Sequence, residues 1–289
     1  MFKKGKSTLG SILIVGLMSI SGLKGRGIFV EDFIAQGVDN TEISFREGET
    51  VNILAERDRD YILEKNSKKC YISKDIVLKL EKDLEDGKSE KAITIGTAQV
   101  NKTIKGNKKY YVLLKGEPVI IINFSNGKFT IVDEEGNEFE VPKDCINLRN
   151  SRYTSSRAGC ITKRTSKINA VVSNAYKALG SPYKHGGTGK GGYDCSGLTY
   201  SLYLNHANIK LNRSSKDQVK DGVAVKKSEL VPGDIVLFRA SGSGIGHAGL
   251  YIGDGKMIHA SSGSRKVIVT PIDQNWYKKR YVTARRILR

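Results

Sequence analysis

The chain has 289 residues, 39% of them apolar and only 5 prolines, which allows two or three packed units and argues against disorder across the whole chain and against a long proline-rich stalk. Its net charge is +18, carried unevenly: residues 167–289 hold 20 Lys/Arg against 7 Asp/Glu, while residues 1–148 balance. A basic C-terminal half suits polyanionic surroundings, but no aromatic stacking pattern or nucleic-acid motif accompanies it, which argues against nucleic acid.

Residues 1–24 read as a secretory signal, with Lys3, Lys4 and Lys6 before the apolar run 11–18 and small residues at Ser19 and Ser21. The run is short and interrupted by Gly16, which disfavours a membrane anchor, and no other stretch is apolar enough to span a bilayer. Export permits disulfides. Yet the four cysteines (Cys70, Cys145, Cys160 and Cys195) contain no Cys-x-x-Cys pair, so neither a disulfide framework nor a metal site is indicated. Cys70 and Cys145 read as small core residues, and Cys160 as incidental.

An internal repeat occupies residues 30–150. Gly48-Glu49-Thr50-Val51-Asn52-Ile53-Leu54 matches Gly116-Glu117-Pro118-Val119-Ile120-Ile121-Ile122, and Ile72-Ser73-Lys74-Asp75-Ile76-Val77 matches Val141-Pro142-Lys143-Asp144-Cys145-Ile146. Cys145 thus stands where the first copy has Ile76. Each copy is a series of short β-runs between turn signals such as Ser125-Asn126-Gly127-Lys128. Their order resembles bacterial SH3-like domains, which implies two small all-β barrels, at 30–90 and 91–149, serving as binding or positioning modules. A plain spacer is the alternative. Residues 150–166, polar and rich in Ser and Arg, read as a linker.

The last unit, 167–289, opens with a helical pattern (Ile168, Val171, Val172, Ala175, Leu179) that stops at Gly180. Strands are predicted at 235–238, 248–252, 257–260, 267–269 and 281–287. Helices followed by an antiparallel sheet make an α+β fold. Between them, Asp194 is a good N-cap for a helix that begins at Cys195, where free N–H groups favour a thiolate. Alone, one cysteine among glycines is usually a buried small residue. His247 and His259 change that balance, because an imidazole within reach activates a thiol and a second polar ring orients the first. They flank the turn Gly253-Asp254-Gly255. A two-residue loop would put the two rings on opposite faces of the hairpin; a three-residue loop would put them on one face. The three-residue loop is predicted, with both rings facing the Cys195 helix. A zinc site from Cys195, His247 and His259 is chemically conceivable but has no evident fourth ligand, so no metal or cofactor is expected.

Residues 168–289 resemble the NlpC-type cysteine peptidases, papain-like enzymes that cut peptidoglycan stem peptides. The resemblance rests on Gly180-Ser181-Pro182-Tyr183, Asp194-Cys195-Ser196-Gly197-Leu198, Arg213-Ser214-Ser215-Lys216-Asp217-Gln218, Pro232-Gly233-Asp234-Ile235-Val236, His247-Ala248-Gly249-Leu250-Tyr251-Ile252-Gly253 and Met257-Ile258-His259-Ala260. It implies Cys195 as nucleophile, His247 as base and His259 as third polar member. It also implies that Tyr183 lines the pocket and that Asp194, with Ser196 beside it, helps bind the free amine of a stem peptide. Lys184-His185 after Tyr183 departs from the aromatic residue common there, which bears on substrate preference. The implied reaction is hydrolysis of the D-glutamyl–diamino acid bond through a thioester, in a secreted protein associated with anionic cell-wall polymers. The alternatives are a wall amidase or acyl transferase using the same thiol, and a non-catalytic wall-binding protein.

Overall fold

The computed structural model describes residues 25–82, 90–92, 94–107, 109–148, 155–240, 242 and 244–289. The expected signal segment and the side chain of Cys160 lie outside what is described.

Alternating runs broken by Gly and Asn turns fold the region before residue 149 into two all-β units. The first comprises β1 (Gly25–Phe29), β2 (Phe33–Gln36), β3 (Glu42–Phe45), β4 (Thr50–Glu56), β5 (Asp60–Lys65), β6 (Lys68–Ser73), β7 (Val77–Lys82) and β8 (Glu90–Ala92). Six of these pair in the order β6-β5-β4-β1-β7-β8, and β2 and β3 form a separate hairpin. The second unit comprises β9 (Thr94–Ala98), β10 (Lys102–Lys105), β11 (Tyr110–Leu113), β12 (Pro118–Ser125), β13 (Lys128–Val132), β14 (Glu138–Pro142) and β15 (Ile146–Asn147). Its sheet order, β14-β13-β12-β9-β15 beside a β10–β11 hairpin, repeats the first. The repeat extends to irregularities: β4 slips register between Ile53 and Ala55, and β12 does so between Ile121 and Asn123. Cys70 and Cys145 are buried in the cores of the first and second units. Burial pushes the Cys70 thiol up to about 11, so it is inert.

The third unit contains α1 (Ser155–Lys177), a ribbon of β16 (Thr188–Gly189) and β17 (Gly192–Tyr193), α2 (Cys195–Ala207) and α3 (Ser215–Gln218). A six-stranded antiparallel sheet follows, made of β18 (Val223–Val225), β19 (Ile235–Arg239), β20 (Ile245–Gly253), β21 (Lys256–Ser261), β22 (Lys266–Pro271) and β23 (Tyr281–Arg286), with α4 (Asn275–Lys278) ahead of β23. Its order is β18-β23-β19-β20-β21-β22. One face carries Leu237, Ala248, Leu250 and Ile258 against Val171, Val172, Leu198 and Leu202 of α1 and α2. The other face carries Val236, Phe238, Met257, Ile272 and Ala284.

The helix expected from Ile168 starts at Ser155 instead, so much of the predicted linker is helical. Once the apolar stretch from Ile168 packs, each further residue toward the N-terminus is fixed for one hydrogen bond, and Arg, Ala, Ile and Lys tolerate this without an apolar stripe. No described helix is long and apolar enough to cross a membrane.

The second β unit is bonded to the third. Val112 and Leu114 enter the core beneath α1 and α2. Asn169 Oδ1 accepts the Val112 N–H at 2.6 Å, Ser173 both accepts from and donates to the Tyr110 backbone, and Tyr110 stacks on Tyr176 with centroids 3.7 Å apart. Arg164 and Thr165 of α1 both hold the buried Glu117. The helix thereby satisfies the free edge of β11, which would otherwise expose unpaired backbone groups. Replacing Asn169 by Ala leaves a fully buried N–H without its acceptor. We expect Asn169→Ala to lower unfolding free energy by about 1–3 kcal/mol in urea titration; a loss below about 0.5 kcal/mol, typical of surface positions, would show that the contact is not structural.

Candidate active site

Asp194 caps α2 in an extended conformation (φ −90°, ψ 177°), and its carboxylate accepts the Gly197 N–H at 2.6 Å. That fixes Cys195 as the first helical residue. The same carboxylate also accepts the Gly186 N–H at 2.9 Å and both terminal nitrogens of Arg213, at 3.0 and 2.7 Å, with the Ser196 hydroxyl at 3.4 Å. A carboxylate offers about four lone-pair sites, and five donors already surround this one. The expected amine-binding role of Asp194 therefore meets an occupied group. Ser196 is likewise buried and held by Arg213 Nη1 at 3.1 Å. Burial pushes the Asp194 carboxyl up, but the hydrogen bonds and charge of Arg213 together with the Gly197 and Gly186 N–H groups hold it below the usual range. Asp194 joins three pieces: the glycine-rich loop, the helix start and the Arg213 loop. Gly197 permits this closeness, since a Cβ there would stand 2.0 Å from Gly187 O.

The histidines share a face, but by a different device from the one expected. The turn is a two-residue loop, Asp254-Gly255, both in the left-handed region (φ 50° and 67°) as a primed hairpin turn requires. The register then shifts at Ile252: Gly253 pairs with Lys256, whereas Tyr251 pairs with Met257 and Leu250 with Ile258. This bulge supplies the odd residue that a longer loop would have supplied. Gly249 falls opposite His259, and a Cβ on it would lie 2.7 Å from Met257 Sδ and 3.3 Å from His259 Cβ. With no side chain there, His247 Nε2 lies 3.0 Å from His259 Nδ1.

The shared face is not the one turned toward α2, which corrects a second expectation. Ala248, Leu250, Ile258 and Ala260 pack on the helices, so by alternation His247 and His259 project with Phe238 and Met257 to the opposite side. Cys195 meets them at the strand backbone instead. Its sulfur donates weakly to Gly246 O at 3.9 Å, and the Ala248 N–H also points at it. These two groups flank His247, and they lie beyond the β20–β21 ladder, which ends at Leu250. Cys195, His247 and Tyr183 are all partly exposed there, and the Tyr183 backbone is tied to Arg265 O at 2.9 Å.

His259 is fully buried. Its Nε2 lies 2.9 Å from Thr270 Oγ1 and 3.4 Å from the Tyr277 hydroxyl. Tyr277 and Trp276 of α4 pack their rings against the imidazoles. Sequence reasoning did not find Thr270, Trp276 or Tyr277, and quoted Arg213 and Gln218 without a role. Gln218 ties Thr199, Ser196 O and Asn212 O together beneath the helix start. The sole tryptophan, in a short polar segment, was the signal available. Among the described residues, no group of three His, Cys, Asp or Glu is arranged to hold a metal ion.

Burial lowers His247 to about 4, and burial plus the neighbouring ring lowers His259 to about 3. Burial also pushes the Cys195 thiol up, opposed by the N–H groups of Ala248, Ser196 and Cys195 itself. All three shifts favour the uncharged form.

Residues 180–286 match the NlpC/P60 family. The murein DD-endopeptidase MepH of Escherichia coli K12 is 30% identical over 149 residues, covering 50% of this chain and 55% of the relative. A gamma-D-glutamyl-L-lysine dipeptidyl-peptidase of Bacillus cereus is 39% identical over 121 residues (41% and 36%). The murein DD-endopeptidase/LD-carboxypeptidase MepS of E. coli K12 is 41% identical over 109 residues (38% and 57%). The chain therefore spans between 36% and 57% of these relatives. Among solved structures, an NlpC/P60 family protein of Bacillus cereus aligns with 92% of this chain and 100% of its own, at 18% identity and a TM-score of 0.41. The C-terminal unit carries an NlpC/P60 family domain.

The buried imidazoles make stability depend on pH. In an unfolded chain both titrate near 6.5, so below that pH the unfolded state binds protons that the fold does not. The stability of the uncharged pair is complete above about 6.5 and is lost as pH falls through about 4. We expect the denaturation midpoint to drop between pH 6.5 and 4, and His259→Gln to flatten that drop. Parallel curves for both proteins would contradict the burial argument.

Proposed function

We propose that this chain is an exported peptidoglycan hydrolase whose C-terminal unit is a cysteine endopeptidase, cutting stem peptides between D-glutamate and the diamino acid. The observation that carries the reading is the Cys195 sulfur seated against the backbone on both sides of His247, whose far nitrogen is 3.0 Å from His259. The names of the relatives, murein endopeptidases and a γ-D-glutamyl-L-lysine peptidase, support it.

The hydrogen bonds select a tautomer for each ring. For His247 to take the thiol proton at Nδ1, its Nε2 must carry hydrogen and donate to His259 Nδ1. His259 must then carry hydrogen on Nε2 and donate to Thr270 Oγ1. In that state the uncharged thiol gives its proton to His247 as sulfur attacks the carbonyl carbon. His259 stabilises the resulting imidazolium through the shared hydrogen bond. His247 then passes the proton to the departing amine, leaving a thioester that water hydrolyses by the reverse route. The Cys195 N–H at the helix start is positioned to stabilise the oxyanion. The two N-terminal units serve as SH3-like wall-binding modules, a reading supported by their repeat and all-β make-up. The basic third unit suits the anionic polymers of the wall.

Digestion of purified peptidoglycan by wild type should leave D-glutamate ends on the glycan strands and release peptides that begin with the diamino acid, and Cys195→Ser should release none; equal release would sink the reading. Thr270→Val, which removes the acceptor for His259, should lower kcat by at least about tenfold with KM little changed, and Thr270→Ser should restore it. An unaltered kcat in the valine variant would show that the tautomer is set elsewhere.

A further inference from the structure

One wall of the site takes no part in the chemistry above. Trp276, the chain's single tryptophan, is 44% exposed although its indole stands perpendicular to the His247 ring, with centroids 6.4 Å apart. It is held firmly: Tyr277 packs 4.8 Å from it, and 5.9 and 5.2 Å from the rings of His247 and His259. The Arg280 guanidinium lies over the indole, 4.4 Å from the centroid. Of its five donors, one bonds the Trp276 carbonyl at 3.4 Å, and no described carboxylate pairs with it. Asp273, the acid on the approach to α4, is already paired with Lys227, whereas Lys278 and Lys279 are exposed.

An exposed aromatic surface with a stacked cation suits a ligand that is both aliphatic and anionic. Its place beside the imidazole sets which part of a substrate arrives there. In the peptidase reading, on which this inference rests, His247 hands its proton to the leaving amine, so the residue bearing that amine departs past the imidazole and along Trp276. We propose that Trp276 and Arg280 form the subsite for the leaving residue, its methylenes lying on the exposed indole and its carboxylate pairing with Arg280. Stems whose leaving residue keeps a free carboxylate are then bound better than those in which it is amidated or extended.

The full chain carrying Cys195→Ala binds without turnover, and its lone indole reports occupancy. The titrants are L-alanyl-γ-D-glutamyl-L-lysine and the same tripeptide with its lysine carboxylate amidated. Trp276 fluorescence should change with the free acid, and the amide should bind about tenfold more weakly, the loss expected for a charge-assisted hydrogen bond. Arg280→Gln, which keeps a side chain over the ring, should erase the difference between the two peptides. Equal affinity for acid and amide would overturn the role of Arg280. Unchanged fluorescence with either peptide, while wild type hydrolyses both, would overturn the subsite. Should wild type hydrolyse neither, the peptidase reading fails, and the titration still tells whether the wall binds a carboxylate.

Discussion

The site depends on one residue out of step. Side chains alternate along a strand, so a tight two-residue turn alone would set His259 opposite Leu250 and send the two imidazoles to opposite faces of the hairpin. The bulge at Ile252 restores the parity. The 3.0 Å contact between the rings, the Thr270 hydrogen bond behind them and the cover of Tyr277 all follow from that shift. Gly249 completes it, because a Cβ there would stand 2.7 Å from Met257 Sδ and 3.3 Å from His259 Cβ. A second register shift, between Phe238 and Arg239 on β19, falls where Gly246 turns its carbonyl to the thiol. Bulges beside reactive groups re-aim what a regular ladder would fix.

Burial sets the electrostatics. The same loss of water that lowers both imidazoles raises the thiol, and each shift opposes an ion pair. Asp194 adds to the pressure against a thiolate, since it lies one residue away. Arg213 meets that charge with two hydrogen bonds. What remains to favour sulfur as an anion is a set of three N–H groups, from Cys195, Ser196 and Ala248. Such fixed dipoles need no reorganisation when charge develops.

Much of this was legible in the residues. The repeat announced two like β units, down to Cys145 standing for Ile76, and the cap at Asp194 announced the start of α2. Parity also announced that the histidines needed an odd residue, yet the sequence Tyr251-Ile252-Gly253-Asp254-Gly255 does not say whether the turn or the strand carries it. Both solutions have the same length, and Asp-Gly accepts the left-handed conformation that the shorter turn needs. The face turned to α2 was misread because a helix that covers a sheet was taken to face its reactive rings; Cys195 instead reaches the strand's backbone from the helix end. The ion pair between Asp194 and Arg213 was not legible, because the two are distant in sequence and only folding brings them together. Thr270 and Tyr277 carry no local motif, and only their distance from His259 marks them.

The bulge that sets the parity is also where the second β unit touches the hairpin. Thr103 donates to Ile252 O at 2.6 Å, from the β10–β11 hairpin whose other strand is sealed by α1. An N-terminal module on a loose tether would raise local concentration and nothing more. A module bonded to α1 through Asn169, Ser173 and Glu117, and to the hairpin through Ile252, does something further. Those bonds fix the second unit in one orientation relative to the hairpin and α1. The bond at Ile252 also opposes any slip of the register that would return the bulge residue to the ladder and separate the imidazoles. Positioning the domain and preserving the pair of rings are thus tasks of one interface, and a change in the second unit that moves Thr103 acts on the hairpin that carries His247 and His259.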